Sequence, residues 1–72
     1  MQKYPQIQFK LNGLVYESAE TFTLLYLLNY FGFNVQTLLI DYNGIITQKE
    51  YWDKIKIKEK DCIEILTIAG GG

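Results

Sequence analysis

The stretch Cys62-Ile63-Glu64-Ile65-Leu66-Thr67-Ile68-Ala69-Gly70-Gly71-Gly72 closes the chain and decides its fold. Its first seven residues alternate as a strand does. Ile63, Ile65 and Thr67 share one face, while Cys62, Glu64, Leu66 and Ile68 share the other. The glycines after Ala69 give no side chain to a core and lose the most conformational freedom when ordered. They read as a narrow arm carrying the α-carboxylate of Gly72 away from the body. That geometry suits a carboxylate threaded into another protein's active site, where a side chain near the end would block the channel. A frayed terminus is the bland alternative, and the rest of the chain must decide between the two.

A strand placed last needs partners, and the upstream sequence supplies them. Ile7-Gln8-Phe9-Lys10-Leu11 alternates strictly, with Ile7, Phe9 and Leu11 on one face. Asn12-Gly13 follows, a strong hairpin signal because both residues accept positive φ, and Leu14-Val15-Tyr16-Glu17 is the returning strand. Thr23 is placed to cap a helix, with Phe22 before it able to pack on Leu27. Leu24, Leu27, Leu28 and Phe31 then recur at i, i+3, i+4 and i+7 as one core-facing stripe. Tyr26, Asn29 and Tyr30 fall on the opposite side, Leu25 lies at the stripe's edge, and Gly32 ends the helix.

Val35 to Tyr42 reads as a third strand, and Asn43-Gly44 turns it back into Ile45-Ile46-Thr47. Gln48 to Trp52 reads as a short helical turn ending on a packed Trp52. Lys54-Ile55-Lys56-Ile57-Lys58 presents one wet and one buried face of an extended segment, and Lys60-Asp61 makes the last turn. One amphipathic helix covering one face of a mixed sheet gives an α+β domain of two layers. In so short a chain the compact solution is a β-grasp, with the first and last strands paired parallel in the centre across a long crossover. Residues 1–68 form this domain and 69–72 the glycine tail. If the Ile63 face packs on the helix, Leu66 and Ile68 point outward beside Ala69 as a docking surface.

Composition narrows the function classes. Seventy-two residues, 49% apolar and 21% charged, make a single globular domain. A single cysteine excludes an internal disulfide and points to a reducing compartment. No apolar run approaches a membrane span, and Met1-Gln2-Lys3-Tyr4-Pro5 does not read as a signal peptide. A net charge of −1, with every basic residue a lysine, argues against nucleic acid. The chain has no histidine, and so lacks the usual general base, the common zinc ligand and any His-dependent triad. Cys62, without a histidine to activate it, reads as a small buried or half-buried hydrophobe. Asp41, Glu50, Asp53, Glu59 and Asp61 lie beside turns or lysines and read as solvated surface. None of this builds an enzyme's own active site.

Several segments together resemble the ThiS family, the small ubiquitin-like sulfur carriers of thiamine thiazole synthesis. They are Phe9-Lys10-Leu11-Asn12-Gly13, Thr23-Leu24 through Leu27-Leu28 to Phe31-Gly32, Leu39-Ile40-Asp41 leading to Ile45 through Trp52, and Lys60-Asp61-Cys62-Ile63-Glu64-Ile65 running to the glycines. The segment from Ile46 to Trp52 is similar to the family's hydrophobic-polar-Arg-Glu-x-Trp pattern. Thr47 stands for a common proline, Lys49 for an arginine, and Lys60 for a glycine before the aspartate. These departures fall at turns and leave the tail intact.

The resemblance implies a carrier rather than a catalyst. In such proteins the terminal carboxylate, here that of Gly72, is activated by a partner adenylyltransferase of the ubiquitin-activating type using ATP and Mg²⁺, and the carrier itself binds no cofactor. Sulfur from a donor system such as a cysteine desulfurase then yields a thiocarboxylate that serves thiazole synthase. Gly70 and Gly71 are the implied threading arm, and Leu66, Ile68 and Ala69 the implied docking residues. Three other readings share the sequence signals: the small subunit of molybdopterin synthase, a lysine-conjugated protein modifier, and a β-grasp interaction domain with incidental glycines. Richness in Ile, Lys, Tyr and Asn with two alanines suggests an AT-rich genome, which fits a plastid stroma or a bacterial cytoplasm.

Overall fold

Five strands and one helix organise residues 6–67, the part of the chain that the computed structural model describes. In chain order they are β1 (Ile7–Leu11), β2 (Leu14–Ser18), α1 (Leu24–Tyr30), β3 (Leu38–Tyr42), β4 (Ile45–Thr47) and β5 (Cys62–Thr67). The sheet order is β2-β1-β5-β3-β4. β5 runs parallel to β1, with Lys10 opposite Cys62 and Leu11 opposite Ile63. Its other edge is antiparallel to β3, from Leu38 opposite Thr67 to Tyr42 opposite Ile63. The last strand therefore sits at the centre of a mixed sheet, as its sequence requires of a β-grasp. Ile68 to Gly72, and with them the expected boundary at 68/69, lie outside the described residues.

Both tight turns follow from their Asn-Gly pairs. Asn12 and Gly13 take φ of 53° and 83°, and Asn43 and Gly44 take 53° and 88°. Two successive positive φ values make a type I′ turn, whose twist matches that of the flanking strands. The asparagines also serve a second purpose that hairpin propensity does not reveal. Asn12 Oδ1 accepts the Ile65 N–H at 2.7 Å, and Asn43 Oδ1 accepts the Cys62 N–H at 2.7 Å. Each hairpin tip thus holds a backbone donor of β5.

The helix is short, and both of its ends are capped. Thr23 caps it by accepting the Tyr26 N–H at 3.0 Å, while the Leu24 and Leu25 N–H groups donate to Ile55 and Trp52 carbonyls. At its far end Gly32 turns to φ 79°, the Gly32 N–H reaches Asn29 O, and the Phe33 N–H reaches Leu28 O. That is a Schellman ending. Leu24, Leu27 and Leu28 bury against Phe9, Leu11, Leu38, Ile40, Ile63 and Ile65, and the 48–57 segment adds Trp52 and Ile57. Trp52 is 1% exposed, and its indole N–H is satisfied by Thr47 O at 3.0 Å.

Two sequence expectations need correction here. The third strand begins at Leu38, not Val35, because Asn34 accepts the Gln36 N–H at 3.0 Å and winds Val35–Thr37 into a 3-10 turn. A local side-chain bond of this kind competes with strand pairing, although Val35 still packs on the core. Phe31 completes the helical stripe in sequence but not in space. It is the helix C-cap, 38% exposed, and sets its ring edge-on to Tyr16 at 5.3 Å.

Candidate functional site

The sheet has one face under α1 and one face open, and residues directly opposite in register share a face. Register therefore assigns the open face. Lys10 and Cys62 share it with Val15, Glu64 with Asp41 and Ile46, and Leu66 with Leu39. Leu66 is 48% exposed and its opposite Leu39 is 38% exposed. Ile63 and Ile65 on the same strand are buried. The face assignment of β5 read from its alternation thus holds from Cys62 to Leu66, and Leu66 lies one residue before Thr67, where the described residues stop. Ile68, Ala69, Gly70, Gly71 and Gly72 lie outside them.

Leu66 does not stand alone. Leu39 and Ile46 add exposed apolar surface on β3 and β4, and a carboxylate pair sits beside them. Asp41 and Glu64 are directly opposite on β3 and β5. Like charges in that position destabilise a sheet by some tenths of a kcal/mol, although Asp41 Oδ1 also accepts the Gly44 N–H at 2.7 Å and so supports the β3–β4 turn. A cationic group of a docking partner would relieve the repulsion. Sequence reading placed Asp41 on solvated surface and left Glu64 and Leu39 without a role. The signal was the break in β3 alternation, where Leu38, Leu39 and Ile40 are apolar on both faces.

The turn before β5 sets the strand's position through Asp61, and here two expectations fail. Asp61 is not solvated surface: it is 5% exposed. Its carboxylate accepts Tyr42 O–H at 2.6 Å, the Lys58 N–H at 2.7 Å and Asn43 Nδ2 at 3.1 Å. Burial alone would raise its pKa, but these three hydrogen bonds and the Lys58 charge outweigh burial and hold the carboxyl below the ordinary range. Tyr42 is pushed up, first by burial and then by its bond to that carboxylate. Lys58 Nζ closes the group by donating to Tyr42 Oη at 3.2 Å, and that hydrogen bond raises the lysine pKa.

Cys62 is the second failure. It is exposed on the open face, because Asp61 takes the inward position and alternation turns Cys62 out. Lys60, where a glycine was expected, has φ 70°. It is the third residue of the turn closed by the Asp61 N–H on Lys58 O, a position that favours glycine. Among the described residues no group of three His, Cys, Asp or Glu side chains is placed to hold a metal ion, and no helix is long and apolar enough to cross a membrane.

Known proteins share this fold and family. The family model of the ThiS family matches residues 3–72. The crystal structure of the thiamine biosynthesis protein ThiS from Geobacter metallireducens superposes with a TM-score of 0.79 at 25% identity, covering 92% of this chain and all of that one. Among curated proteins, uncharacterized protein ycf40 of Trieres chinensis is 48% identical over 89% of this chain and 88% of its own length. Its counterpart in Porphyra purpurea is 33% identical over 92% and 93%. With a central last strand, a single covering helix and a family match across nearly its whole length, this chain belongs to the ThiS family of ubiquitin-like sulfur carriers.

Proposed function

We propose that the chain carries sulfur for thiazole formation as a thiocarboxylate on Gly72. Family membership and the ThiS structural neighbour support a carrier role in thiamine biosynthesis. The observation on which the reading rests in this molecule is the open sheet face that runs along β5 toward the glycines, with Leu66 exposed at its end.

The chemistry explains the division of labour. A carboxylate is a poor electrophile, and joining it to AMP supplies a good leaving group. In this reading an adenylyltransferase binds ATP and Mg²⁺, the Gly72 carboxylate attacks the α-phosphorus, and pyrophosphate departs. A persulfide from the donor system then displaces AMP to give an acyl disulfide, and a second thiol of a partner protein cleaves its S–S bond, leaving the thiocarboxylate on Gly72 and a disulfide on the donor side. Gly70 and Gly71 leave the acyl carbon unobstructed, since a side chain there would crowd both attacks. Leu66, Ile68 and Ala69 meet the partner beside the channel, with Leu39 and Ile46 widening the contact and a cation of the partner answering Asp41 and Glu64. The chain itself supplies recognition and the carboxylate, and partner enzymes supply catalysis. The ycf40 relatives from algae favour the plastid stroma over a bacterial cytoplasm as its place of work.

ATP–pyrophosphate exchange by the host adenylyltransferase tests the reading. Exchange should depend on this chain and vanish when Gly72 is deleted. Leu66→Asp should raise the chain concentration for half-maximal exchange at least tenfold while leaving the fold intact. Exchange that tolerates loss of Gly71 and Gly72 would contradict the assignment and return the chain to a binding domain.

A further inference from the structure

β5 is a central strand where it starts and an edge strand where it ends. β1 accompanies it only as far as Leu11, opposite Ile63. Asn12 and Gly13, with φ of 53° and 83°, then turn the chain away into β2. On the other side β3 stays beside β5 up to Thr67, opposite Leu38. The last residues of β5 therefore have a strand on one side only, immediately before the chain runs on to Ile68 and the glycines.

The hydrogen bonds show which backbone groups face the side that β1 leaves. In a strand the N–H and C=O of one residue point the same way, and successive residues alternate. Cys62 faces the β3–β4 hairpin: its carbonyl accepts the Asn43 N–H at 2.8 Å, and its N–H donates to Asn43 Oδ1 at 2.7 Å. Ile63 faces β1, where its carbonyl accepts the Asn12 N–H at 2.9 Å. Ile65 and Thr67 follow on that same side. Asn12 Oδ1 takes the Ile65 N–H, and among the described residues no donor reaches the Ile65 carbonyl. The Asn12 side chain is thus the last rung of the β1–β5 ladder. The next two groups along that edge are the Ile65 C=O and the Thr67 N–H.

A strand running parallel to β5 satisfies both groups with a single residue. Lys10 holds the equivalent place earlier on the strand, opposite Cys62, with its N–H donated to Asp61 O at 2.9 Å. An antiparallel strand paired at Ile65 would need both of that residue's groups, and Asn12 holds one of them. By the register of Lys10, the bridging residue lies opposite Leu66, so its side chain joins Leu66 and Leu39 on the open face. Leu66 is exposed there, and an apolar neighbour matches it. Five residues follow Thr67, and five residues span at most about 17 Å. On the sulfur-carrier reading, on which this inference rests, the enzyme that receives Gly72 must bring its own chain within that distance of the β5 edge. We propose that an extended segment of the adenylyltransferase adds to the sheet here, parallel to β5 in the line that β1 leaves, with one residue bonding the Ile65 C=O and the Thr67 N–H and an apolar side chain beside Leu66. In strand addition backbone bonds give alignment and alternate side chains give selectivity. The added strand sets the direction in which the tail enters the channel, which an apolar contact at Leu66 does not do alone.

Hydrogen exchange of the ¹⁵N-labelled chain, free and saturated with the adenylyltransferase in the absence of ATP, tests this. The Thr67 amide should exchange about tenfold more slowly, or slower still, in the complex. Thr67→Pro removes that donor, and proline is tolerated where a strand N–H faces away from the ladder. This variant should keep the wild-type urea midpoint and raise the chain concentration for half-maximal ATP–pyrophosphate exchange about tenfold. An unprotected Thr67 amide in a complex that still supports ATP–pyrophosphate exchange would overturn this inference alone, and so would a folded Thr67→Pro variant of undiminished affinity. Protection of Thr67 in the free chain that grows with its concentration would assign the edge to a second copy, against the proposal. A chain that the enzyme neither binds nor adenylates would overturn the carrier reading and this inference with it.

Discussion

Replacing Asp61 by alanine removes the acceptor that ties the β3–β4 hairpin and Lys58 to the start of β5. Three donors lose their partner: Tyr42 O–H, Asn43 Nδ2 and the Lys58 N–H. Hydrogen bonds to a charged group contribute about 1.5–3 kcal/mol each when their partners stay buried. Tyr42 is only half-buried and Asn43 is exposed, so water replaces part of what is lost. The expected cost is about 2–3 kcal/mol at neutral pH, set against a total stability of roughly 4–11 kcal/mol for a domain of this length. Urea unfolding followed by Trp52 fluorescence measures it directly.

The same variant has a pH signature. Because the folded-state pKa of Asp61 lies below its ordinary 3.8, its contribution is fully present above that value. It is lost as pH falls through the folded pKa. Wild type and Asp61→Ala should therefore differ most at neutral pH, with the gap narrowing below about pH 4. A neutral-pH loss under about 1 kcal/mol, or a gap unchanged at pH 2, would refute the role assigned to this carboxylate.

Other substitutions separate fold from docking. Lys60→Gly should stabilise the domain by about 0.5–1 kcal/mol, because it relieves a positive φ at the cost of chain entropy; a lowered urea midpoint would count against that reading. Asn12→Gly keeps the turn but removes the acceptor of the Ile65 N–H, and a loss of about 1 kcal/mol in urea unfolding is expected. Phe9→Ala should cost about 3–5 kcal/mol and unfold much of the population, whereas Leu66→Asp should stay within about 1 kcal/mol of wild type. Native protein should react with a thiol reagent at Cys62 without denaturant, and reaction only after unfolding would show the thiol to be buried.

Much of the fold is legible in the chain because its signals are local. Alternation in Ile7 to Leu11 and in Cys62 to Thr67, two Asn-Gly pairs, Thr23 and the Leu24-Leu27-Leu28 stripe each fix an element with short-range physics alone. The parallel pairing of β1 with β5 then follows from having few ways to bury those faces. What stayed hidden depends on distant partners. Asp61 reads as a surface charge until Tyr42 and Asn43, far off in sequence, are brought against it. Phe31 reads as core until the helix ends beneath it and its ring turns to Tyr16. Leu39 reads as one more apolar strand residue until register sets it opposite Leu66. The open face was thus half visible through Leu66, while the Asp41–Glu64 pair within it needed the strand order.

The intact mass of the chain, purified after co-expression with its adenylyltransferase and a cysteine desulfurase, tests the sulfur-carrier account most directly. The account predicts that one terminal oxygen is replaced by sulfur, with fragment ions placing the change on Gly72. An unchanged mass beside an adenylyltransferase shown to be active would contradict it.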